Sequence, residues 1–127
     1  IYPINKTCES VFIGKITAPN PYPFDIRGGS HVITLGDYRV AIAHVCDFYK
    51  SEQGNKDTEY LHNFIVWDKN WNVLKYDKLF SFMDVRIEFC TGMTVYGNDL
   101  LISFGVRDNA AYLLRAPIKF IEDFING

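Results

Sequence analysis

The sequence predicts an all-β fold that ends in one short helix. Short runs alternating apolar with polar residues, the period of a half-buried strand, recur along most of the chain, and Gly, Asn, Asp and Pro cluster in the breaks. A helical period emerges only near the C-terminal end. The clearest strand pair covers 87–96 and 100–108, joined at Gly97-Asn98-Asp99, and its second run ends in the turn Gly105-Val106-Arg107-Asp108. Arg107 and Asp108 at this mouth are candidate binding groups, because a rigid sheet presents polar loop residues without loosening its core.

Taken in order, residues 11–17 read as a strand, and 18–23 then break regular structure, since Pro19, Pro21 and Pro23 remove ladder donors and fix φ. Strands are predicted at 32–35, 38–45, 60–67 and 73–76, the first two separated by the tight-turn pair Gly36-Asp37. The wholly polar segment 50–59 reads as an exposed, mobile hairpin tip, and Trp67-Asp68-Lys69-Asn70-Trp71 as a further turn. A second meander follows at 93–96, 100–104 and 110–114. The helix is predicted over 117–125, with Pro117 at its start and Ile118, Ile121, Phe124 and Ile125 on one face.

Four strands, then three, with one more near the N-terminus, fit two four-stranded propeller blades, the last completed by a strand from the other terminus. A β-sandwich of short strands explains the same periodicity. Two blades cannot close a ring, so their apolar flanks predict self-association.

Composition limits the function classes. With 127 residues, 48% hydrophobic and 16% aromatic, the chain fits one well-packed domain, and a net charge of −2 with a pI near 5.9 argues against nucleic acid or anionic membrane as a partner. No apolar run approaches the length of a membrane-spanning helix. Cys8, Cys46 and Cys90 are odd in number and far apart, which predicts thiols in a reducing, cytoplasmic setting rather than a disulfide framework. No CxxC or HxxxH spacing points to a metal. The chain starts at Ile1 with no signal-peptide pattern, and reads as a fragment or a processed product. Asn5-Lys6-Thr7 matches a glycosylation triplet, a pattern common by chance. Gly28-Gly29 lacks the glycine spacing and helix of a dinucleotide site, and Ser30-His31 has no nucleophile elbow.

Five segments in order, Ile26-Arg27-Gly28-Gly29-Ser30, residues 38–44, Tyr60-Leu61-His62-Asn63-Phe64, Glu88-Phe89-Cys90-Thr91-Gly92 and residues 103–112, resemble the later blades of a known group. These are the five-bladed β-propellers related to glycoside hydrolase family 130, the β-mannoside phosphorylases, and similar propeller domains found near glycosyltransferases. The likeness spans roughly residues 24–115. It implies a β-propeller-like domain over 1–127 with about two four-stranded antiparallel blades: N-terminal strand and Pro-rich loop 1–23, first blade 24–84, second blade 85–116, C-terminal helix 117–127.

The resemblance also implies a site. His44 falls where the family uses a His to hold phosphate, with Val45 in place of the usual following Gly. Asp108 matches an Asp that contacts sugar hydroxyls, a suitable task for a carboxylate, which accepts charge-assisted bonds from two adjacent hydroxyls. Arg27 and His62 match positions of the wider propeller group, with Asn63 where an Arg often follows the latter His. Together with Arg107 and Glu88 these form the implied substrate-binding set. The family's general acid and most of its basic phosphate ligands lie in earlier blades, outside these residues. The implied function is therefore glycan binding, with an oligosaccharide as ligand, rather than catalysis by this chain alone. No cofactor is implied beyond phosphate as a co-substrate.

The residues themselves leave alternatives. Asp108 equally suits a turn residue capping backbone amides. His44, inside Ala41-Ile42-Ala43-His44-Val45, suits a core imidazole bonded to a carbonyl. Arg27 either binds an anion or pairs with Asp25 or Glu88. Glu88 shares a strand face with Arg86, open to a ligand contact or an ion pair. Asp47, Glu88 and Asp108 supply carboxylates, but nothing fixes two of them at the separation glycoside hydrolysis needs. Tyr22, Tyr49 and Trp71 are candidate aromatic platforms for a sugar. A non-catalytic assembly domain without a sugar site is the competing reading.

Overall fold

The computed structural model describes residues 26–50, 56–76, 78–85 and 87–127. The predicted strand at 11–17 and the Pro-rich segment lie outside them, as do Cys8, Tyr22, Asp25 and Arg86. The chain is mostly antiparallel β-strand with one short C-terminal helix, and no closed sheet forms among the described residues.

The first sheet contains β1 (Ile26–Gly28), β2 (Ile33–Leu35), β3 (Tyr38–Lys50), β4 (Lys56–Asp68), β5 (Val73–Lys75) and β6 (Leu79–Phe80). The long β3–β4 ribbon forms its centre, paired from Tyr38↔Asp68 to Lys50↔Lys56. β1 and β2 lie end to end along the free edge of β3, and β5 and β6 do the same along β4. The sheet is thus four strands wide, as the predicted meander has it, with both outer positions interrupted.

The second sheet is the meander β7 (Glu88–Tyr96), β8 (Asp99–Val106) and β9 (Ala110–Pro117). Helix α1 (Lys119–Asn126) follows.

Local chemistry explains the connections. Leu35 pairs with Tyr38 and Tyr96 with Asp99, so Gly36-Asp37 and Gly97-Asn98 are two-residue loops, each with its glycine at positive φ. Asp99, predicted in the loop, is the first residue of β8. At the β4–β5 turn Asp68 Oδ1 accepts from the backbone amides of Asn70 and Asn72, at 2.8 and 2.9 Å, and Oδ2 from the Asn72 side chain. Those donors favour the carboxylate and hold the Asp68 pKa below its usual value.

Two expectations are corrected. The polar segment 50–59 is not all hairpin tip, because the ladder runs out to Lys50↔Lys56 and leaves only 51–55, outside the described residues. Main-chain pairing needs no apolar side chains, so a polar ribbon can extend beyond the packed part of a sheet. Pro117, predicted as the helix start, instead ends β9, and the helix begins two residues later.

The core fills the space between the sheets. Val40, Ile42, Phe64 and Val66 on the first face Cys90, Met93, Leu100 and Ile102 on the second, with Ile121 of α1 closing the cluster. A bulge at Thr91 shifts the phase of β7, so that Cys90 and Met93 both point inward despite their odd spacing. Among the described residues no helix is long and apolar enough to cross a membrane.

Candidate functional site

The inner face of β3–β4 carries a ladder of cross-strand pairs: Val40↔Val66, Ile42↔Phe64, His44↔His62 and Cys46↔Tyr60. One register therefore turns an apolar stripe polar at its third step. The edge strand β1 sets Arg27 opposite His44, so Arg27, His44 and His62 form one row across three strands. Glu88, first residue of β7, meets this row from the second sheet, its carboxylate Oε1 lying 3.4 Å from His62 Nε2.

Residues 29–30 hold β1 to β3. Ser30 N donates to the Ile42 carbonyl and Ile42 N to Ser30 Oγ, both at 2.8 Å. Gly29 permits that approach, since a Cβ there would sit 2.6 Å from the Ile42 carbonyl oxygen.

The buried half of the site is committed to the protein itself. Glu88 is fully buried; Oε1 accepts from the Phe82 amide, and Oε2 accepts from the Met83 amide at 3.0 Å. The carboxylate thereby fixes the bend between β6 and β7, where Asp84 adopts φ 57°. The Phe82 ring in turn lies 4.3 Å from His62 and 4.6 Å from Phe104, centroid to centroid. His62 is fully buried, and although Nε2 is close to Glu88 it is not aligned for a hydrogen bond. Burial lowers its pKa to about 4, with neighbouring His44 acting in the same direction. His44 is buried too; desolvation and then the Arg27 charge push its pKa down, against a hydrogen bond to the Gly28 backbone that pushes it up. Both imidazoles are neutral at pH 7, and His44 Nδ1 and both nitrogens of His62 have no hydrogen-bond partner.

The accessible half forms a rim. Arg27, Arg107 and Asp108 are exposed. The β8–β9 turn takes Arg107 and Asp108 through φ 53° and 54°, with Asn109 N donating to Val106 O, and Arg107 N ties it to Ile87 O at 2.9 Å. Tyr60 lies within electrostatic reach of both Arg27 and Asp108; burial, followed by a hydrogen bond with the Cys46 thiol, raises its pKa. Phe89 packs at 4.8 Å from His44 and 6.3 Å from Tyr60 and remains 40% exposed.

Of the residues singled out in the sequence, Arg27, His44, His62 and Glu88 converge, and Arg107 and Asp108 lie on the turn that the rim shares with Tyr60. Tyr60, Phe89 and Cys46 were missed. Tyr60 is on the same strand face as His62, two residues away, which is the signal that finds it. Trp71 instead packs on Trp67 at the Asp68 turn, far along β4 from Tyr60. Cys46 and Cys90 are free thiols. Among the described residues no group of three His, Cys, Asp or Glu side chains can hold a metal ion.

Chemically, the rim offers a guanidinium, a carboxylate, a phenol and an aromatic face, a set able to bond and stack on a polyhydroxylated ring. Comparison with known proteins finds no matching family model, curated protein or solved structure.

Proposed function

We propose that this chain is a glycan-binding, propeller-like β-module, related to the β-mannoside phosphorylase propellers, that binds an oligosaccharide at its rim and does not catalyse alone. The observation that carries this reading is the convergence, from β1, β4, β7 and the β8–β9 turn, of Arg27, Tyr60, Phe89 and Asp108 around the polar end of the inter-sheet stripe. Asp108 accepts bonds from vicinal hydroxyls, Arg27 donates to ring or exocyclic oxygens, and Phe89 supplies the stacking face. Buried His44 positions Phe89 and Tyr60 rather than touching the ligand. Phosphate, as a co-substrate of a larger assembly, would meet Arg27 and Arg107.

The blade-like sheets also favour self-association. β9 pairs only with β8 among the described residues, and Tyr112 and Leu113 on it are exposed. A second reading, an assembly domain without a sugar site, draws on the burial of His44, His62 and Glu88, which keeps three of the six candidate residues from touching a ligand.

Titration with β-mannobiose, with and without phosphate, followed by calorimetry and light scattering, tests the proposal. Saturable binding that Asp108→Asn and Phe89→Ala each weaken by about tenfold is expected. An oligomer indifferent to both ligands leaves the assembly-domain reading, and a monomer indifferent to both overturns each of the two.

A further inference from the structure

The first sheet is buried on both faces. Toward the second sheet and α1 it presents Val40, Ile42, Phe64 and Val66. On the reverse face Ala41, Ala43 and Val45 of β3 are 7, 5 and 5% exposed, although alternation points them away from that core. Ile26, Leu61, Ile65 and Leu79 flank them, in the pairs Ile26↔Val45, Val45↔Leu61, Ala41↔Ile65 and Asn63↔Leu79. An antiparallel sheet with one solvated face carries polar residues there, and this face is apolar across its width except at Asn63, which is itself buried.

Among the described residues no strand or helix packs on it, since β7, β8, β9 and α1 all contribute to the opposite cluster. Ser30 bonds the Ile42 backbone and Tyr76 O accepts from Asn63 Nδ2, contacts that belong to the connections along the sheet's two edges. The cover therefore comes from elsewhere in the chain. Residues 51–55 close the ribbon beyond Lys50↔Lys56; folded back they reach about 10 Å, whereas Val45, the nearest of the three, lies about 17 Å away along β3. Asp77 and Arg86 are single charged positions. The stretch 1–25 is long enough, joins Ile26 beside Val45 at the edge of this same face, and carries Val11, Phe12, Ile13 and Ile16 within one run.

We infer that residues 1–25 lie across the reverse face and make the first sheet the middle layer of three. The inference uses none of Arg27, Tyr60, Phe89 or Asp108 and stands independently of the glycan reading. It withdraws this face from self-association and leaves a second copy the outer face of the second sheet, where Leu113 is 67% exposed.

Methyl NMR on the full chain is the test. Cross-peaks are expected between the methyls of Ala41, Ala43 and Val45 and protons of residues 1–25, and mixtures of labelled and unlabelled chains should show them to be intramolecular. Ala43→Lys, which drives an ammonium into the covered face, should unseat the cover and speed tryptic cleavage after Lys15 by about tenfold. Ala41→Leu, which overpacks the same layer, should do likewise where the first variant fails to fold. Absence of those cross-peaks overturns the inference, as does broadening of the three methyls by a soluble paramagnetic agent. Cross-peaks between chains overturn it too, because a second copy then covers the face, and so does cleavage after Lys15 at an unchanged rate in a folded variant.

Discussion

Replacing Glu88 by Gln tests whether the centre of this fold depends on one buried carboxylate. Its two oxygens each accept a backbone N–H, from Phe82 and from Met83. Gln keeps one carbonyl oxygen of the same size but turns an NH₂ toward the other amide, so one bond is lost, its donor is stranded in a dry site, and the charge that strengthened both bonds disappears. A hydrogen bond to a charged group contributes about 1.5–3 kcal/mol, and a stranded buried donor costs about 1–3 kcal/mol. The two overlap, so Glu88→Gln should cost about 2–4 kcal/mol, a large share of the roughly 5–15 kcal/mol that holds a domain folded. Urea unfolding reads the loss as a lower midpoint at unchanged m-value, and hydrogen exchange at the Phe82 and Met83 amides reports whether the bend opens locally. The exposed pair Arg115–Asp99 is the internal contrast: Arg115→Ala should cost less than about 1 kcal/mol. A Glu88→Gln cost below about 1 kcal/mol, with the two amides as protected as before, would refute the reasoning.

Adjacent glycines should respond oppositely. Gly29→Ala drives a Cβ to 2.6 Å from the Ile42 carbonyl, which the β1–β3 pairing cannot relieve, and should destabilise by about 2 kcal/mol, whereas Gly28→Ala meets nothing within 4 Å and should stay within about 0.5 kcal/mol of the parent by thermal unfolding. Acid should weaken the fold before carboxylates titrate in the unfolded chain. The folded pKa of His62 is lowered to about 4 from 6.5, so the unfolded state binds protons first; its contribution is intact above pH 6.5 and falls as pH drops toward 4. The loss from His62 amounts to about 2 kcal/mol by about pH 5, with His44 adding in the same direction. Urea midpoints that are flat between about pH 7 and pH 5, or a slope that survives in His62→Leu, would show that the imidazole does not carry it.

The periodic part of this fold was legible. Alternation places the central strands, and Gly36 and Gly97 mark their turns, because period and positive φ are local properties of sequence. β1 and β6 were not read as strands. β1 and β6 pair through three residues and two, and both exist because β3 and β4 offer them free edges, a long-range condition that local pattern does not carry. The helix start was misplaced for a related reason: Pro117 suits a first helical turn, but it also suits the end of an edge strand, where no partner needs its missing N–H. Which option wins is decided by the pairing of β9 with β8, a long-range fact.

The site follows the same division between residue type and register. Sequence identifies His44 and His62 as imidazoles within apolar runs, yet neither run says that they are neighbours. Once Tyr38 stands opposite Asp68, every later pair is set, and His44 falls opposite His62 with Arg27 beside them. A slip of one residue by either strand would turn that strand's imidazole away from the second sheet. The same register continues the Val40–Val66 and Ile42–Phe64 pairs, so the packing of those four apolar side chains holds the polar row in place. Burial then separates the roles, since His44, His62 and Glu88 sit inside the packed zone, while Arg27, Tyr60, Phe89 and the Arg107–Asp108 turn reach its margin. On the proposed glycan-binding reading, the placement of these rim residues depends on core packing two and four residues along each strand. A core substitution at Ile42 or Phe64 should accordingly weaken ligand binding at the rim even though neither side chain can touch the ligand.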